Sequence, residues 1–492
     1  MKRHPWYRAA NVGTFVLLCL LTTGSRSAAT APAEHPNVLL IVIDDMGWKD
    51  TGVYGSDFYE TPNIDRLASQ GARFAQFYTA GSVCSPTRAS IMTGKSPARV
   101  HITDWIGGDD RGKLLPAAYE RELPLSEFSI GEAFQAGGYD TGYIGKWHLG
   151  QLEASGPAHQ GFAFTRAVNH AGQPGSHFAP YKSASRTDTD VPDLEGDAPR
   201  TYLTDRLTTE AVQFIRTSRT KPFFLVLSHY AVHTPLEAKT ELAAKYAAKR
   251  DARGSSALPA LQAEGPTSMT KMQQDHATYA AMVESVDASV GVLMHALDSL
   301  DMAKNTIVVF MSDNGGLSTL LGSASRIPTS NAPLRAGKGW LYEGGIRAPF
   351  LVRWPGGVPA KRVINTPTIS TDVYPTLLEL AGLPALRTQT LDGVSVAPLL
   401  TGKGSVSSRS LFWHFPHYHD SGSTPSGAIR SGSLKLIEWF ESGEVELYDL
   451  ARDPGEHHDV SKERPRDAAT LRAQLATWRI RVDANMPQRA LR

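Results

Sequence analysis

Cysteine is almost absent from this chain of 492 residues, which contains only Cys19 and Cys84. Cys19 lies in an apolar N-terminal run that we expect to be removed, so no cysteine pair remains for a disulfide framework. Neither positive nor negative charge is in excess, since the formal net charge is +1 at pH 7. This balance gives no support to nucleic-acid binding or to a basic membrane-binding surface. Cys84 is therefore a single cysteine in a polar setting, and its presence requires a chemical explanation.

Long apolar runs are also rare, and the one near the N-terminus, VGTFVLLCLLTTG, is short. Basic residues precede it and small residues follow it, an order typical of a secretory signal peptide, which we predict at residues 1–29. A membrane anchor is the alternative, but the run is too short to span a bilayer comfortably. Lipid attachment at Cys19 is a further alternative, which the bulky Leu18 before it disfavours. We therefore expect an exported protein, periplasmic or secreted, that has no membrane attachment after cleavage.

Four segments have an apolar run that ends in polar residues, as expected of buried parallel strands. They are NVLLIVIDD (37–45), YDTGYIGKWHLG (139–150), KPFFLVLSHYAVH (221–233) and NTIVVFMSDNGG (305–316). Helical patterns lie between them, at 62–74, at 204–216 and, as an apolar stripe, at 279–300. Alternating strands and helices predict an α/β fold with a large, mostly parallel or mixed sheet between helices. Ligands of such sheets bind beyond the carboxyl ends of the strands, where the polar residues lie.

The remaining segments suggest how the chain is divided. Residues 155–200 and 250–275 lack periodicity and are predicted to be loops or insertions. Near Thr401 the pattern changes to short antiparallel strands, and an amphipathic helix closes the chain. We predict a main domain at 35–399 and a smaller α/β subdomain at 400–492 that contains a short antiparallel sheet.

The ends of two predicted strands carry four oxygen-bearing side chains, Asp44, Asp45, Asp313 and Asn314. Carboxylate and amide oxygens suit a hard cation, calcium or magnesium, better than zinc. The alternative is that these residues form turns or helix caps, as most aspartates at strand ends do. Two such pairs in matching positions favour a metal site.

Cationic and imidazole side chains also lie at predicted strand ends or in glycine-rich loops: Lys146, His148, His233 and Lys338. Taken singly, each lysine is more often a solvated charge and each histidine a satisfied hydrogen-bonding residue. Placed together around a metal, they would suit a compact, multiply charged anion such as a sulfate or phosphate ester.

Cys84 is predicted to begin a short helix, because Pro86 favours a first turn and Gly94 favours a stop. Arg88 follows one turn later and lies on the same helix face as Cys84. The N-terminus of such a helix offers backbone N–H groups and a positive dipole to an anion.

The segment CSPTRAS, at 84–90, resembles the Cys-x-Pro-x-Arg signature of the type I sulfatases, which are formylglycine-dependent and alkaline-phosphatase-like. Other segments resemble the same family in the same order, and the resemblance covers nearly the whole chain after residue 35. They are NVLLIVIDDMGWKDTGVYG, TPNIDRLASQGARFAQFY, GYIGKWHLG, HTP, MSDNGG, GKGWLYEGGIRAPFLVRWPG and ELYDLARDPGE.

The resemblance implies that a separate maturation enzyme oxidises Cys84 to formylglycine, whose hydrate is a gem-diol. One hydroxyl attacks sulfur, and the second then collapses to the aldehyde and expels sulfate. The resemblance also implies one calcium ion, held by the four oxygen-bearing residues together with an oxygen of modified Cys84.

Roles of the remaining residues follow from the same resemblance. Arg88, Lys146 and Lys338 match cations that stabilise the nucleophile and the sulfate group. His148 matches the histidine that manages the proton of the gem-diol. His233, with Lys338, matches the group that protonates the leaving oxygen.

The expected activity is hydrolysis of a sulfate ester of a carbohydrate, or of an aryl sulfate as a surrogate. Three loops are expected to hold specificity or, alternatively, to pack the joint with the subdomain: HITDWIGG (101–108), NHAGQPGSHF (169–178) and WHFPHYHD (413–420). A phosphodiester or phosphonate hydrolase of the same superfamily is a second hypothesis. A non-catalytic binding protein is a third, but it predicts the loss of Cys84, Arg88 or a metal acid, and none is lost.

Overall fold

A computed structural model of the chain describes Met1 and residues 35–108, 112–218, 220–254, 256–322, 324–384 and 388–489. The predicted signal peptide at 1–29 lies outside these residues, apart from Met1. His35–Arg492 forms one compact unit. The predicted division near residue 400 stays a prediction.

The strands and helices are numbered in chain order over the described residues. The strands are β1 (Asn37–Ile43), β2 (Ala72–Phe74), β3 (Phe77–Tyr78), β4 (Leu114–Leu115), β5 (Asp140–Gly145), β6 (Phe164–Arg166), β7 (Phe223–Ser228), β8 (Leu261–Glu264), β9 (Ser268–Lys271), β10 (Thr306–Ser312), β11 (Thr319–Leu321), β12 (Phe350–Arg353), β13 (Arg362–Ile364), β14 (Thr368–Ile369), β15 (Leu411–Phe415), β16 (Ser426–Ser431), β17 (Leu434–Trp439), β18 (Val445–Asp449) and β19 (Gln488–Arg489). The helices are α1 (Pro62–Ser69), α2 (Cys84–Thr93), α3 (Ile130–Ala136), α4 (Leu152–Ser155), α5 (Leu203–Thr217), α6 (Thr240–Asp251), α7 (Ala277–Ser299), α8 (Glu343–Ile346), α9 (Val373–Ala381), α10 (Ala397–Thr401) and α11 (Pro465–Arg481).

A mixed sheet of eight strands forms the centre of the fold, in the order β13-β2-β12-β10-β1-β7-β5-β6. Strand β1 pairs in parallel with β10 on one side and β7 on the other. Strand β12 is antiparallel to both of its neighbours. The predicted α/β class with a large mixed sheet is confirmed.

Strand β1 is buried along its whole length because both faces of the sheet are covered. Its side chains alternate between the faces. Val38 and its alternate neighbours pack with residues of α2, α3 and α9. Leu39 and its alternate neighbours pack with residues of α1, α5 and α7. Helix α7 is long and apolar enough to cross a membrane, but 72% of its most apolar window is buried inside the protein, as in a core helix.

Three elements differ from the sequence-based predictions. The helix predicted at 62–74 ends at Ser69, and Ala72–Phe74 forms β2 instead. A Cβ at Gly71 would collide with the backbone of β12, so the chain leaves the helix there to join the sheet. The segment 155–200 contains β6, and 250–275 contains the hairpin β8–β9. These strands of three or four residues are too short for a periodic pattern, and they form through pairing with β5 and β11.

The C-terminal part contains the predicted antiparallel sheet, in the order β15-β16-β17-β18, with α11 packed against it. A buried ion triad joins this sheet to α8. The Nζ of Lys435, on β17, lies 3.1 Å from a carboxylate oxygen of Glu343 and 2.8 Å from one of Glu456. All three side chains are almost fully buried. The triad ties the small sheet to the helix that follows the loop of Lys338.

Replacing Lys435 with methionine should strongly destabilise the protein, because it leaves Glu456 buried without a cation and Glu343 with only Arg347, whose Nη1 is 3.6 Å away. Removing one partner of a buried ion pair typically costs about 3–5 kcal/mol. Urea unfolding, followed by tryptophan fluorescence, measures the change against Lys403→Met, since Lys403 is exposed. A loss below about 1 kcal/mol would mean that the triad adds little to stability.

Candidate active site

The register of the central strands brings the predicted site residues to one edge of the sheet. Ile43 of β1 lies opposite Ser312 of β10. The residues that follow them, Asp44 and Asp313, therefore lie side by side. Ser228 lies opposite both Val42 and Gly145, so Lys146 joins the same edge. Carboxyl ends of parallel strands therefore deliver these side chains together, as the sequence predicts.

Three buried ion pairs form the centre of the site. The Nζ of Lys146 lies 2.6 Å from Oδ2 of Asp44, and the Nζ of Lys338 lies 2.7 Å from Oδ1 of Asp45. The Nη2 of Arg88 lies 2.8 Å from Oδ2 of Asp313. Each of these three carboxylates is thus balanced by its own cation.

Cys84 is the first residue of α2, a helix whose residues are all buried and which ends at Gly94 in a left-handed conformation with φ of 67°. The preceding residue, Val83, is extended, so the helix begins where predicted. The Sγ of Cys84 lies 3.7 Å from Oδ1 of Asp44. The helix N-terminus therefore places the side chain of residue 84 beside the carboxylates.

Arg88 links the helix to two strand ends. Its Nη1 donates to the backbone oxygen of Lys146 at 2.9 Å and to Oγ of Ser228 at 2.7 Å. Ser228 was missed in the sequence, although a polar residue that ends the apolar run FFLVLS is a usable signal. With Asp313 as its third partner, the guanidinium is held in one orientation.

The oxygen donors fit a hard cation. Potential ligand atoms of Asp44, Asp45, Cys84 and His233 all lie within 4.8 Å of one another, and Oδ1 of Asp313 accepts from the backbone N–H of Asp45 at 3.2 Å. Asn314 donates from Nδ2 to Asp45 at 2.8 Å, while its Oδ1 is buried and has no hydrogen-bond partner among the described residues. A buried acceptor without a partner beside carboxylates is what a bound cation satisfies.

The two predicted histidines differ in how they are held. The Nε2 of His148 is 3.1 Å from the backbone oxygen of Ile106, which can only accept, so Nε2 carries the proton. Its Nδ1 is then a free acceptor, buried and without a partner in the described part of the chain. The Nε2 of His233 lies 3.7 Å from Oδ2 of Asp45.

Burial and the neighbouring lysines together set the protonation states of the site. It raises the pKa of Asp44 to about 7, although the charge of Lys146 opposes the change. Burial would also raise the pKa of Asp45, but the Lys338 ammonium holds that pKa well below its usual range. Burial raises the pKa of Cys84 to about 12, so the unmodified thiol stays protonated and is a poor nucleophile at neutral pH.

Both histidines are held neutral. Burial lowers the pKa of His148 well below its usual value, and the charge of Lys146 adds to the effect. Burial lowers the pKa of His233 to about 3, with a further contribution from the charge of Lys338.

A cavity of about 360 Å³ opens onto this centre. Five predicted site residues line it: Asp45, Cys84, His148, His233 and Lys338. The three predicted specificity loops contribute Trp105, Gly172, Gln173, His419 and Asp420. A larger cavity of about 640 Å³ lies between Gln76 and Arg430, but none of the predicted site residues lines it. We therefore assign the candidate active site to the smaller cavity.

The structure thus brings together all ten predicted site residues. The loops that were expected either to hold specificity or to pack the joint contribute residues to the cavity wall and also pack against one another. His419 lines the cavity, whereas His417 is buried and hydrogen-bonds Thr103 at 2.8 Å. Arg186 and Arg326 also line the cavity and were missed, because nothing in the sequence near them marks an arginine at a cavity.

The sequence profile described as Sulfatase matches residues 36–383. This chain belongs to the sulfatase family. The profile described as N-sulphoglucosamine sulphohydrolase, C-terminal, matches residues 336–481. The predicted family is therefore confirmed, and the chain is an enzyme that hydrolyses sulfate esters.

Known relatives of this sulfatase align along most of their length. A protein named Sulfatase from Formosa agariphila is 31% identical over 523 residues, covering 92% of this chain and 90% of the relative. The N-acetylgalactosamine-6-sulfatase of Canis lupus familiaris is 32% identical over 413 residues, covering 81% of this chain and 72% of the relative. The crystal structure of Ps i-CgsB superimposes with a TM-score of 0.73 at 31% identity, covering 91% of this chain and 93% of that one.

Proposed function

We propose that this sulfatase removes sulfate from a sulfated carbohydrate, with residue 84 converted to formylglycine and one calcium ion in the site. The observation that carries the proposal is the set of three carboxylates, each paired with a cation, around the side chain of Cys84 at the end of a cavity. The set combines an all-oxygen cation site with positive groups for an anion.

Asp44, Asp45, Asp313 and Asn314, with an oxygen of modified residue 84, would hold the calcium ion. Calcium prefers such oxygen ligands, and Asn314 has a buried oxygen without a protein partner in the described residues. When bound, the ion supplies positive charge that favours an ionised hydroxyl and an anionic ester beside it.

The protein's own groups bind and orient the sulfate ester. Lys146 and Lys338 are positive donors at the site, and Arg88 is held rigidly by Asp313, Lys146 and Ser228. Such preorganised donors stabilise charge that develops in the transition state. His148 offers an unprotonated Nδ1 that accepts the proton when the second hydroxyl of the hydrated aldehyde collapses and expels sulfate.

His233 faces the side of the centre formed by Asp45 and Lys338. We assign it to the leaving oxygen: its neutral ring takes up a proton that the Lys338 ammonium supplies and passes that proton to the oxygen. A sugar alkoxide is a poor leaving group and needs this proton, whereas a nitrophenolate leaves without it.

Relatives support a sugar as the substrate. One relative is named N-acetylgalactosamine-6-sulfatase, and Ps i-CgsB has been crystallised with k-i-k-neocarrahexaose. The cavity here has an indole, Trp105, on its wall together with polar side chains from three loops. Aromatic surface combined with a few polar groups suits a sugar ring.

We also propose that the chain is exported to the periplasm or secreted and that a formylglycine-generating enzyme modifies it. The motivations are the N-terminal sequence pattern and the intact CSPTR segment.

A desulfation screen tests the proposed function. The protein is co-expressed with a formylglycine-generating enzyme and assayed on N-acetylgalactosamine 6-sulfate, D-glucosamine 2-N,6-O-disulfate, k-i-k-neocarrahexaose and 4-nitrophenyl sulfate. Sulfate release is expected from at least one sugar. 4-Nitrophenyl phenylphosphonate and bis(4-nitrophenyl) phosphate cover the second hypothesis, and faster hydrolysis of either would reject the proposal.

Replacing His233 with alanine should slow the hydrolysis of poor leaving groups far more than that of good ones. We expect a loss of about 100-fold for phenyl sulfate and less than about fivefold for 4-nitrophenyl sulfate, because general acid catalysis contributes roughly 10²–10⁴-fold where it is needed. Steady-state kinetics on a series of substituted phenyl sulfates measures the dependence on leaving-group pKa. An unchanged dependence would remove His233 from that role.

A further inference from the structure

The loop between β15 and β16 reaches from the small C-terminal sheet into the catalytic cavity and is fixed at its tip. The backbone N–H of Leu321 donates to the oxygen of Asp420 at 3.1 Å, and the indole of Trp340 donates to the oxygen of Ser421 at 3.2 Å. Both donors belong to the main part of the fold. The tip of this loop is therefore held in place before any substrate binds.

His419, in this tip, has a defined tautomer. The backbone N–H of Ser421 lies 3.1 Å from Nδ1 of His419, and because a backbone N–H can only donate, Nδ1 is the acceptor. The hydroxyl of Ser421 lies 2.9 Å from the same nitrogen. The carboxylate of Asp420 lies 3.1 Å from Nδ1 and, as an acceptor, would attract a proton there, but this carboxylate is exposed to solvent, whereas the backbone N–H is fixed and requires an unprotonated Nδ1. In the neutral ring the proton is therefore on Nε2, and burial keeps the ring neutral by lowering the pKa of His419 to about 4.

The ring packs against the turn that presents Lys338. A Cβ at Gly339 would overlap the Nδ1 side of the imidazole, so only glycine allows the ring to lie so close to this turn. His419 is 7% exposed, and it lines the same cavity as Cys84, Lys338 and His233. Its Nε2–H has no hydrogen-bond partner among the described residues. A fixed donor thus lies at the cavity wall next to the residues assigned to the sulfate and the leaving oxygen.

We propose that His419 is a specificity-determining residue whose Nε2–H donates a hydrogen bond to an oxygen of the leaving alcohol near the sulfate ester. The substrate class is then an alcohol that carries a neighbouring hydroxyl or ether oxygen, as sugars do, and not a simple phenol. This inference rests on the proposed function and adds the residue that distinguishes sugar sulfates from aryl sulfates.

Two substitutions distinguish the loss of the N–H donor from the loss of the imidazole ring. In His419→Asn, the short amide can replace Nδ1 toward Ser421 but cannot reach the position of Nε2. In His419→Gln, the longer amide can place an N–H near that position. His458→Asn serves as the matched control, because His458 is exposed and does not line the cavity. For each protein, kcat/KM is measured on 4-nitrophenyl sulfate and on the sugar of the screen that the wild type hydrolyses fastest.

The ratio of sugar to aryl kcat/KM should fall at least about tenfold in His419→Asn, which corresponds to one lost hydrogen bond. It should stay within about threefold in His419→Gln and unchanged in His458→Asn. A ratio that is preserved in His419→Asn would overturn the inference, and so would equal losses in the Asn and Gln variants. If the wild type hydrolyses 4-nitrophenyl sulfate but no sugar, the inference fails while sulfatase activity stands. If it hydrolyses neither, the proposed function itself fails.

Discussion

The variant Cys84→Ser should release about one equivalent of alcohol per active site and then stop. Serine keeps one hydroxyl at the N-terminus of α2, beside Asp44 and the cations. Attack on sulfur therefore stays feasible, although slower. The resulting serine sulfate ester has no second hydroxyl that can collapse and expel sulfate, so the enzyme stalls as a covalent intermediate.

Intact-protein mass spectrometry after incubation with 4-nitrophenyl sulfate measures the added sulfate, and a burst of nitrophenolate gives the stoichiometry. Steady turnover should fall by at least about 10³-fold relative to the wild type, because the nucleophile can no longer be regenerated. Cys84→Ala, which lacks any hydroxyl, should show neither burst nor adduct. The chemical state of residue 84 is checked first by peptide mass spectrometry, since some maturation systems also oxidise serine. Sustained turnover by an unmodified serine would mean that water hydrolyses the ester directly, and the gem-diol route would be wrong.

The central sheet and its ligand-binding edge could be predicted because each central strand is an apolar run that ends in polar residues. Strand β1 is the clearest case, since Asn37–Ile43 is wholly buried and Asp44 follows at once. The short strands could not be predicted in this way. Strand β6 has three residues and β8 is largely exposed, so neither shows an apolar run, and only their pairing with β5 and β9 defines them.

The residues at the centre of the site could be predicted individually, but the ion pairs that they form could not. The sequence predicts that Asp44, Asp45 and Asp313 lie together, but not that each takes one particular cation. That assignment depends on strand register and on where α2 crosses the sheet edge. The cavity wall was less predictable still, because His419 lies in the loop between β15 and β16, outside the central sheet, and is positioned by the turn at Gly339.

Removal of one carboxylate should abolish calcium binding. In the protein alone, three carboxylates are balanced by three cations, so the centre has little net charge to attract a sulfate ester. A bound divalent ion would leave it clearly positive. Asp313→Asn removes one negative ligand and also leaves Arg88 buried without its ion-pair partner, so the positive charge around the ion increases. Calcium affinity is therefore expected to fall by at least about 100-fold, since close like charges cost several kcal/mol in a buried site, and activity should fall to near background.

The unfolding temperature tests the loss of calcium binding independently of catalysis. After dialysis against EDTA, 1 mM calcium should raise the Tm of the wild type, because a ligand at 100 times its Kd stabilises the folded state by about 2.7 kcal/mol. Asp313→Asn should show no such rise. Asp50→Asn is the matched control: Asp50 is equally buried and lies in the loop after β1, but Gly47, Tyr279, Thr329 and Gln274 satisfy it by hydrogen bonds, and it is not among the proposed calcium ligands. Asp50→Asn should lower the Tm in EDTA yet keep the calcium-induced rise. Metal analysis should find one calcium per wild-type chain; stoichiometric zinc, or a calcium-induced rise that survives in Asp313→Asn, would show that these carboxylates do not form the cation site.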